Sequence, residues 1–397
     1  MAKLAWISLV SVTALVCAVS IPNEPAGSTC AAAGCADAPP ELLRPVANRT
    51  CLVTGISGMI GSYIARELRS RGCAVHGIVR FRTHYGNLAG LLSGEVTLHR
   101  GDITDSAFVR RVLGALRPDF IFHFAAQSLN GVSTDSPYLS MQVNIVGTLN
   151  ILEAAKDLGL LDTRIFNAGS STVYGKTSDE WDGPLPEDAP LQPVTPYGVS
   201  KVAQEMLGLQ YFHAHGLHVV TGRFFQQVAS GGPETLAVQD FAMQIALVEH
   251  GVRRDAVLVH GNLDTWRDMT DVRDSSRVMV QLAETSAPGK VYNVCSNRAI
   301  KVSELLATLL SLSPMGGNIT LQQDPARLRA FDEKVLLGDN IYVCMHVCMY
   351  VCLSVCLSVC MHACMYVCIR TYVRLYVYIP ICIRMYVWTY GMYICMY

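Results

Sequence analysis

The run Thr54-Gly-Ile-Ser-Gly-Met-Ile-Gly61 follows a short apolar stretch, Cys51-Leu-Val53, and opens an amphipathic one, Ile60 to Arg71. Strand, glycine turn and helix in that order leave few folds open. In such a turn the glycines let the backbone approach a pyrophosphate, and the positive helix N-terminus faces it. An ordinary tight turn has the same spacing, so the run alone does not decide. Downstream, Tyr197-Gly-Val-Ser-Lys201 puts a phenol and an ammonium four residues apart, on one face of a helix. In this order and at this separation the two runs imply a dinucleotide and proton transfer at a sugar or alcohol carbon.

The 397 residues suggest two domains, or one large α/β domain with an appended lobe. The net charge of −1 leaves no basic field for nucleic acid. The hydrophobic excess sits at the two ends. In residues 1–20, Lys3 precedes an apolar run, Leu4 to Val19, with small residues at Ala18-Val-Ser20. This reads as a secretory signal or signal-anchor, or as a misassigned start codon. Residues 21–47, rich in Ala, Pro and Gly, read as a linker.

Residues 341–397 contain no Asp, Glu or Lys, and Cys344, Cys348, Cys352, Cys356, Cys360, Cys364 and Cys368 repeat at every fourth position. A metal array wants ligands clustered in pairs with loops between. A membrane helix fits the uncharged run up to Ile369 by length. Alternating T-G and T-A codon steps generate this Tyr, Val, Cys, Met vocabulary, so translated simple-repeat DNA is the favoured reading, and no functional domain is expected there. The six cysteines outside the tail, Cys17, Cys30, Cys35, Cys51, Cys73 and Cys295, form no obvious disulfide framework. No metal site is expected.

In the cofactor site, Gly55, Gly58 and Gly61 would cradle the pyrophosphate, with Ile60 opening the helix. The second strand, Ala74 to Val79, would carry a ribose-binding acid at its end if NAD(H) were preferred. No Asp or Glu stands between Glu67 and Glu95; Arg80 and Arg82 occupy the place. Guanidinium groups there pair with the extra phosphate of NADP(H), unless both are solvated loop charges. Gly101-Asp102-Ile103 follows another strand, and Asp102 could accept from the adenine amino group. The strand Phe120 to Phe124 ends in Ala125-Ala126-Gln127, whose small residues would let the cofactor lie against the sheet edge. Asn144 could support the backbone near the active site. Strands and helices alternate through residue 223, which predicts a Rossmann-type, doubly wound parallel sheet with a smaller C-terminal lobe.

The strand Ile165 to Ala168 runs into Ser170-Ser171-Thr172-Val173-Tyr174-Gly175. A hydroxyl at its carboxyl end, near Tyr197 and Lys201, makes a hydride-transfer constellation. The charge of Lys201, with that of the nicotinamide, would lower the phenol pKa from about 10 toward neutrality. Tyr197 then gives a proton to a ketone oxygen or takes one from an alcohol, and Ser170 hydrogen-bonds the same oxygen. Alternatively Ser170 to Thr172 form a capping turn. Tyr174 reads as packing.

These segments resemble the extended short-chain dehydrogenases/reductases that act on nucleotide sugars. The resemblance covers roughly Thr50 to Asn340. It is carried by Thr54 to Gly61, His76-Gly-Ile-Val-Arg80, Gly101-Asp102, Ala125-Ala-Gln-Ser128, Ser171-Thr-Val-Tyr-Gly175 and Pro196-Tyr-Gly-Val-Ser-Lys201. Gly261-Asn-Leu-Asp264, Arg267-Asp268 and Thr270-Asp-Val-Arg-Asp274 are similar to GDP-mannose 4,6-dehydratases and GDP-4-keto-6-deoxy-mannose reductases. Phe241 to Ile245, Val291 to Cys295, Asp324-Pro-Ala, Arg329 and Gly338-Asp339 lean toward the reductases.

The resemblance implies a cofactor-binding domain over residues 48–224, with returning segments at about 258–297. A substrate lobe would come from 225–257 and 298–340. It implies a GDP-sugar substrate, a homodimer through a helix bundle, and Arg267 and Arg329 on the diphosphate or its ribose. An ion pair of Arg267 with Asp268 is the competing reading. Gln127 and Gln226 would face the substrate; related reductases carry an Asn-His pair where Gln226-Gln227 stand, and Gln reaches farther.

Related dehydratases place an acid two residues after the catalytic Ser or Thr, as base for the elimination. Here that residue is Thr172. NADPH-dependent reduction of a GDP-linked 4-keto-6-deoxy hexose is therefore expected, with GDP-mannose 4,6-dehydration as the alternative. A nucleotide-sugar 4-epimerase and a non-catalytic nucleotide-binding relative stay open. Such chemistry implies the cytoplasm, whereas residues 1–20 look like an export signal; membrane association would depend on that segment or on the tail.

Overall fold

The computed structural model describes residues 43–346 apart from 92, 93, 330 and 345. The readings placed on residues 1–42 and on the tail beyond 346 lie outside the described residues. The strands run in chain order as β1 Thr50–Thr54, β2 Ala74–Val79, β3 Val96–Arg100, β4 Phe120–His123, β5 Arg164–Ala168, β6 His218–Phe224 and β7 Gln226–Val228. There follow β8 Val257–His260, β9 Trp266–Asp271, β10 Val291–Val294, β11 Ala299–Lys301, β12 Thr320–Gln323 and β13 Val335–Leu336. The longer helices are α1 Met59–Ser70, α2 Ser106–Leu116, α3 Gly147–Asp157, α4 Pro196–His215, α5 Ala237–Glu249, α6 Val272–Thr285 and α7 Val302–Leu312.

Seven parallel strands form the central sheet in the order β3-β2-β1-β4-β5-β6-β10. This is the doubly wound sheet that the alternation predicts, with its switch point between β1 and β4. Residues of alternating parity serve its two faces. Leu52, Ile121, Ile165 and Val219 pack with Phe108 and Val112 of α2 and with Ile151 and Leu152 of α3. The other face carries Phe120, Phe122, Phe124, Phe166 and Phe224, with neighbouring ring centroids 6.0–6.4 Å apart. Gly222 makes room for them, since a Cβ there would lie 2.7 Å from the Phe166 ring.

Within 258–297 only α6 and β10 return to this domain; α6 packs on α1. Strands β8 and β12 pair with each other, and β9 is flanked by β7, β11 and β13. The core of the smaller lobe joins Phe241 and Ile245 of α5 to Leu306 and Leu309 of α7.

One expectation is overturned. Cys51 and Cys73 are joined by a disulfide with Cα atoms 6.4 Å apart. The parallel register sets Cys51 beside Val75, which brings Cys73 within reach although 22 residues separate the pair in sequence.

The end of β6 is held by a buried ion pair. Arg223 Nε donates to Glu205 Oε2 at 2.9 Å and Nη2 to Oε1 at 2.6 Å; the side chains are 5% and 1% exposed. Arg223 Nη1 also donates to the Tyr174 hydroxyl and to the Glu187 carbonyl. Tyr174 in turn donates to Asn293 Oδ1 on β10 at 2.7 Å. Glu205→Gln leaves this guanidinium buried without its counter-charge. We expect a loss of about 3–5 kcal/mol in unfolding free energy by urea titration; a loss below about 1 kcal/mol would contradict this account.

Candidate active site

The glycine turn sits at the switch point. Gly55 has φ +69°, and a Cβ there would lie 2.7 Å from the Ala125 nitrogen. A Cβ on Gly61 would come within 2.3 Å of the Gly55 carbonyl oxygen. Gly58 stands at the N-cap of α1 without a side-chain cap, so the first amides of the helix remain available to an anion. Ile60 is half-buried in the first turn. Ala125 and Ala126 line the opposite side of the crevice, half-buried.

A relay of hydrogen bonds fixes that side. The Ala125 N–H donates to Thr54 Oγ1 at 3.0 Å, and Thr54 pairs with His123 Nδ1 at 2.7 Å. His123 Nε2 pairs with Thr148 Oγ1 at 2.9 Å, which donates to the Asn144 carbonyl at 2.6 Å. Burial, helped by the charge of Lys201, pushes His123 down to about 3, so it stays neutral. Asn144 lies in a π-helical turn, residues 141–146. Its side chain accepts from the Gln127 N–H and donates to the Gln127 carbonyl and to Ser200 Oγ. The sequence singled out Asn144 but missed His123, because a histidine ending an apolar strand carries no local signal of its partners.

At the end of β2, Arg80 and Arg82 are exposed, with Phe81 79% exposed between them. A hollow of about 250 Å³ lies on the Arg80 side, lined by Arg80, Phe81, Arg100, Asp102, Phe108 and Arg111 among others. Arg100 and Arg111 were not singled out from the sequence; the β2–β3 pairing and the first turns of α2 bring them in. Asp102 Oδ1 accepts from the Thr104 N–H and hydroxyl, both at 2.9 Å. Ile103 points into the core, filling the space that a Cβ on Gly147 would need.

The chemical groups meet at the carboxyl end of β5. Lys201 Nζ lies 5.8 Å from the centre of the Tyr197 ring. It donates to the Ala168 carbonyl and to Gln204 Oε1, each at 2.7 Å, and Gln204 is held by Asn167 at 2.6 Å. Ser170 Oγ accepts from the Thr172 hydroxyl at 2.9 Å and from the Thr172 N–H at 3.3 Å.

The expected lowering of the phenol depends on a nicotinamide cation as well as on Lys201; in the protein alone, burial governs both groups. Burial raises Tyr197 to about 12, opposed only by a hydrogen bond from Ser170. Lys201 does not lower it, because burial has brought Lys201 itself down to about 7.

The expected substrate residues are dispersed. Gln127 Nε2 folds back onto the Leu129 carbonyl, and Gln226 opens β7, half-buried. Gln227 is buried and accepts from Ser275 Oγ. Arg267 is an ion-pair residue here, but with Asp332 at 2.7 Å and Glu333 at 3.7 Å rather than Asp268. Asp268 instead accepts from the N–H and hydroxyl of Ser296. Arg329 is exposed and lies 3.7 Å from Asp332.

The Lys201 shift has a thermodynamic sign. Unfolded, the amine keeps its proton up to 10.5; folded, it loses it at about 7. Between these values the unfolded state binds more protons, so this contribution rises with pH, by at most about 1.4 kcal/mol per unit. Below about pH 7 the burial cost is present in full. The stability of wild type relative to Lys201→Met should therefore climb across that window in urea titrations. A flat difference would show that the two hydrogen bonds at Nζ offset burial.

Residues 52–341 match the model of the GDP-mannose 4,6 dehydratase family. A GDP-mannose 4,6-dehydratase of Sordaria araneosa is 30% identical over 74% of this chain, which spans 56% of that relative's length. A GDP-6-deoxy-D-mannose reductase of Pseudomonas aeruginosa is 30% identical over 72% of this chain and 87% of its own. The structure of RMD from Pseudomonas aeruginosa complexed with NADPH superposes with a TM-score of 0.60 at 27% identity, covering 74% of this chain and 91% of that one. The length of the matched span, the sheet order and the glycine crevice agree: the chain belongs to the GDP-mannose 4,6-dehydratase family of extended short-chain dehydrogenases/reductases.

Proposed function

We propose that the chain reduces a GDP-linked 4-keto-6-deoxy hexose with NADPH. One observation carries this reading. The position that needs a carboxylate for elimination holds Thr172, whose hydroxyl is already given to Ser170. Elimination would require a base at C5 and an acid at the C6 hydroxyl; carbonyl reduction requires only an oxygen-binding donor and a proton source.

The crevice fits a dinucleotide. Gly55, Gly58 and Gly61 let the turn close tightly on its own backbone and leave the first amides of α1 uncapped for a pyrophosphate, and Arg80 and Arg82, with Arg100 and Arg111 near Arg80, suit a 2′-phosphate better than a 2′-hydroxyl. NADPH, when bound, supplies two electrons and one hydrogen to C4. Tyr197 gives its phenolic proton to the C4 oxygen as the carbonyl becomes an alcohol. Ser170 donates a hydrogen bond to that oxygen, and Lys201 holds Tyr197 and the Ala168 carbonyl in place.

On the substrate side, Arg329 is assigned to the GDP diphosphate and Gln127 and Gln226 to the sugar. Arg267 then acts from beneath, positioning Arg329 through Asp332. We also infer a homodimer through a face carrying Val132, Tyr138, Leu139, Val146, Val199 and Met206. These are exposed apolar side chains, and Tyr138 is 89% exposed. Leu139→Glu combined with Val199→Glu should convert a dimer to a monomer in sedimentation; a double variant that sediments as wild type would place the contact elsewhere.

A second reading, GDP-mannose 4,6-dehydration, is favoured by the names of most relatives compared. The decisive assay supplies GDP-4-keto-6-deoxy-mannose with NADPH, and GDP-mannose alone in parallel. We expect NADPH consumption in the first, lowered by about 10²–10⁴ in Tyr197→Phe, and no product in the second. A keto sugar formed from GDP-mannose without net cofactor use would make the chain a dehydratase.

A further inference from the structure

We propose that Thr172 is a positioning residue that sets the direction of the Ser170 hydroxyl, so that the one hydrogen of Ser170 is given to the reacting oxygen. The inference rests on the reading above in one respect, that Ser170 and Tyr197 are the reacting pair.

A serine hydroxyl has one hydrogen and two lone pairs. Thr172 addresses both lone pairs of Ser170, with its hydroxyl at 2.9 Å and its N–H at 3.3 Å. The single hydrogen of Ser170 is left to point away from Thr172, free for a reacting oxygen. Neither donor on Thr172 is loose. Residues 171–173 form a 3-10 turn capped by Ser170 itself. The turn lies against the helix that carries Tyr197, since a Cβ on Gly198 would fall 2.7 Å from the Thr172 carbonyl oxygen.

The chemical identity of residue 172 therefore decides a polarity. An ionised carboxylate there is acceptor-only. It would draw the Ser170 hydrogen toward itself, away from the substrate. A threonine donates and returns that hydrogen to the reacting oxygen. The residue that removes the elimination base also prepares the serine for carbonyl reduction.

The test compares wild type, Thr172→Val and Thr172→Ser. Valine keeps the shape and loses the donor. We expect kcat for the keto sugar to fall about tenfold, the loss of one oriented donor, with NADPH affinity by fluorescence titration and thermal midpoint unchanged. Serine keeps the donor and should restore kcat. A Thr172→Val enzyme as fast as wild type overturns the inference while leaving the proposed reaction standing; a wild type inert toward the keto sugar overturns the proposed reaction. A substrate-free readout separates the two. In the NADP⁺ complex, the phenolate absorbance that Tyr197→Phe lacks should titrate at higher pH in Thr172→Val, because the phenolate has lost an oriented donor. An unmoved midpoint overturns the inference whatever the substrate.

Discussion

The Arg223–Glu205 pair is the contact on which the site geometry depends. Its carboxylate lies on α4, one turn beyond Lys201, and its guanidinium on β6. Two charges this deep in the protein cost several kcal/mol each to desolvate. Their bidentate geometry, and the bonds of Arg223 to Tyr174 and Glu187, offset that cost. The result is register. The helix carrying Tyr197 and Lys201 can occupy only one height against the sheet. Through Tyr174 and Asn293 the same pair fixes β10 and the loop at residues 185–187. The Asp339 carbonyl accepts from the Asn293 side-chain amide, and the Asp339 N–H donates to the Leu185 carbonyl.

The crevice edge is fixed by different means. The close approach of Gly55 to Ala125 sets its width, and the His123 relay sets its composition. Each member of the relay has one arrangement that leaves no polar atom stranded. The Ala125 N–H uses the threonine oxygen, the threonine hydrogen faces a neutral imidazole, and the imidazole N–H faces Thr148. The relay ends on the Asn144 carbonyl, within a π-helical turn, a common departure from α-helix at functional sites. Asn144 then reaches Ser200, whose hydroxyl donates to the Tyr197 carbonyl at 2.7 Å. The cofactor edge and the catalytic helix are thereby joined.

The fold was legible in the sequence because its signals are local. A glycine turn between an apolar run and an amphipathic one reports strand, turn and helix together, and Tyr197 and Lys201 share a face because they are four residues apart. What was not legible depends on non-local neighbours. Arg267 reads equally well as a diphosphate ligand or an ion-pair member. Its partners, Asp332 and Glu333, stand far along the chain and meet it because the β9–β13 pairing folds them back. Arg111 looks like any charge on a helix until Gly101 leaves room for Phe108 beneath it. The Cys51–Cys73 bond escapes a spacing argument because strand register, not spacing, closes it. The upward shift of the free phenol also escaped the sequence, because burial is a property of the folded core.

That direction bears on the chemistry. Burial lifts Tyr197 to about 12 and brings Lys201 down to about 7. Both shifts favour the neutral form of each group, so the phenol keeps its proton through the physiological range. A group meant to give a proton to a carbonyl starts in the right state. A group meant to take one from an alcohol must first ionise, against the same burial. An oxidised nicotinamide carries a positive charge that opposes this burial and favours the phenolate, so the protonation state of the pair is set by the fold and the bound cofactor together.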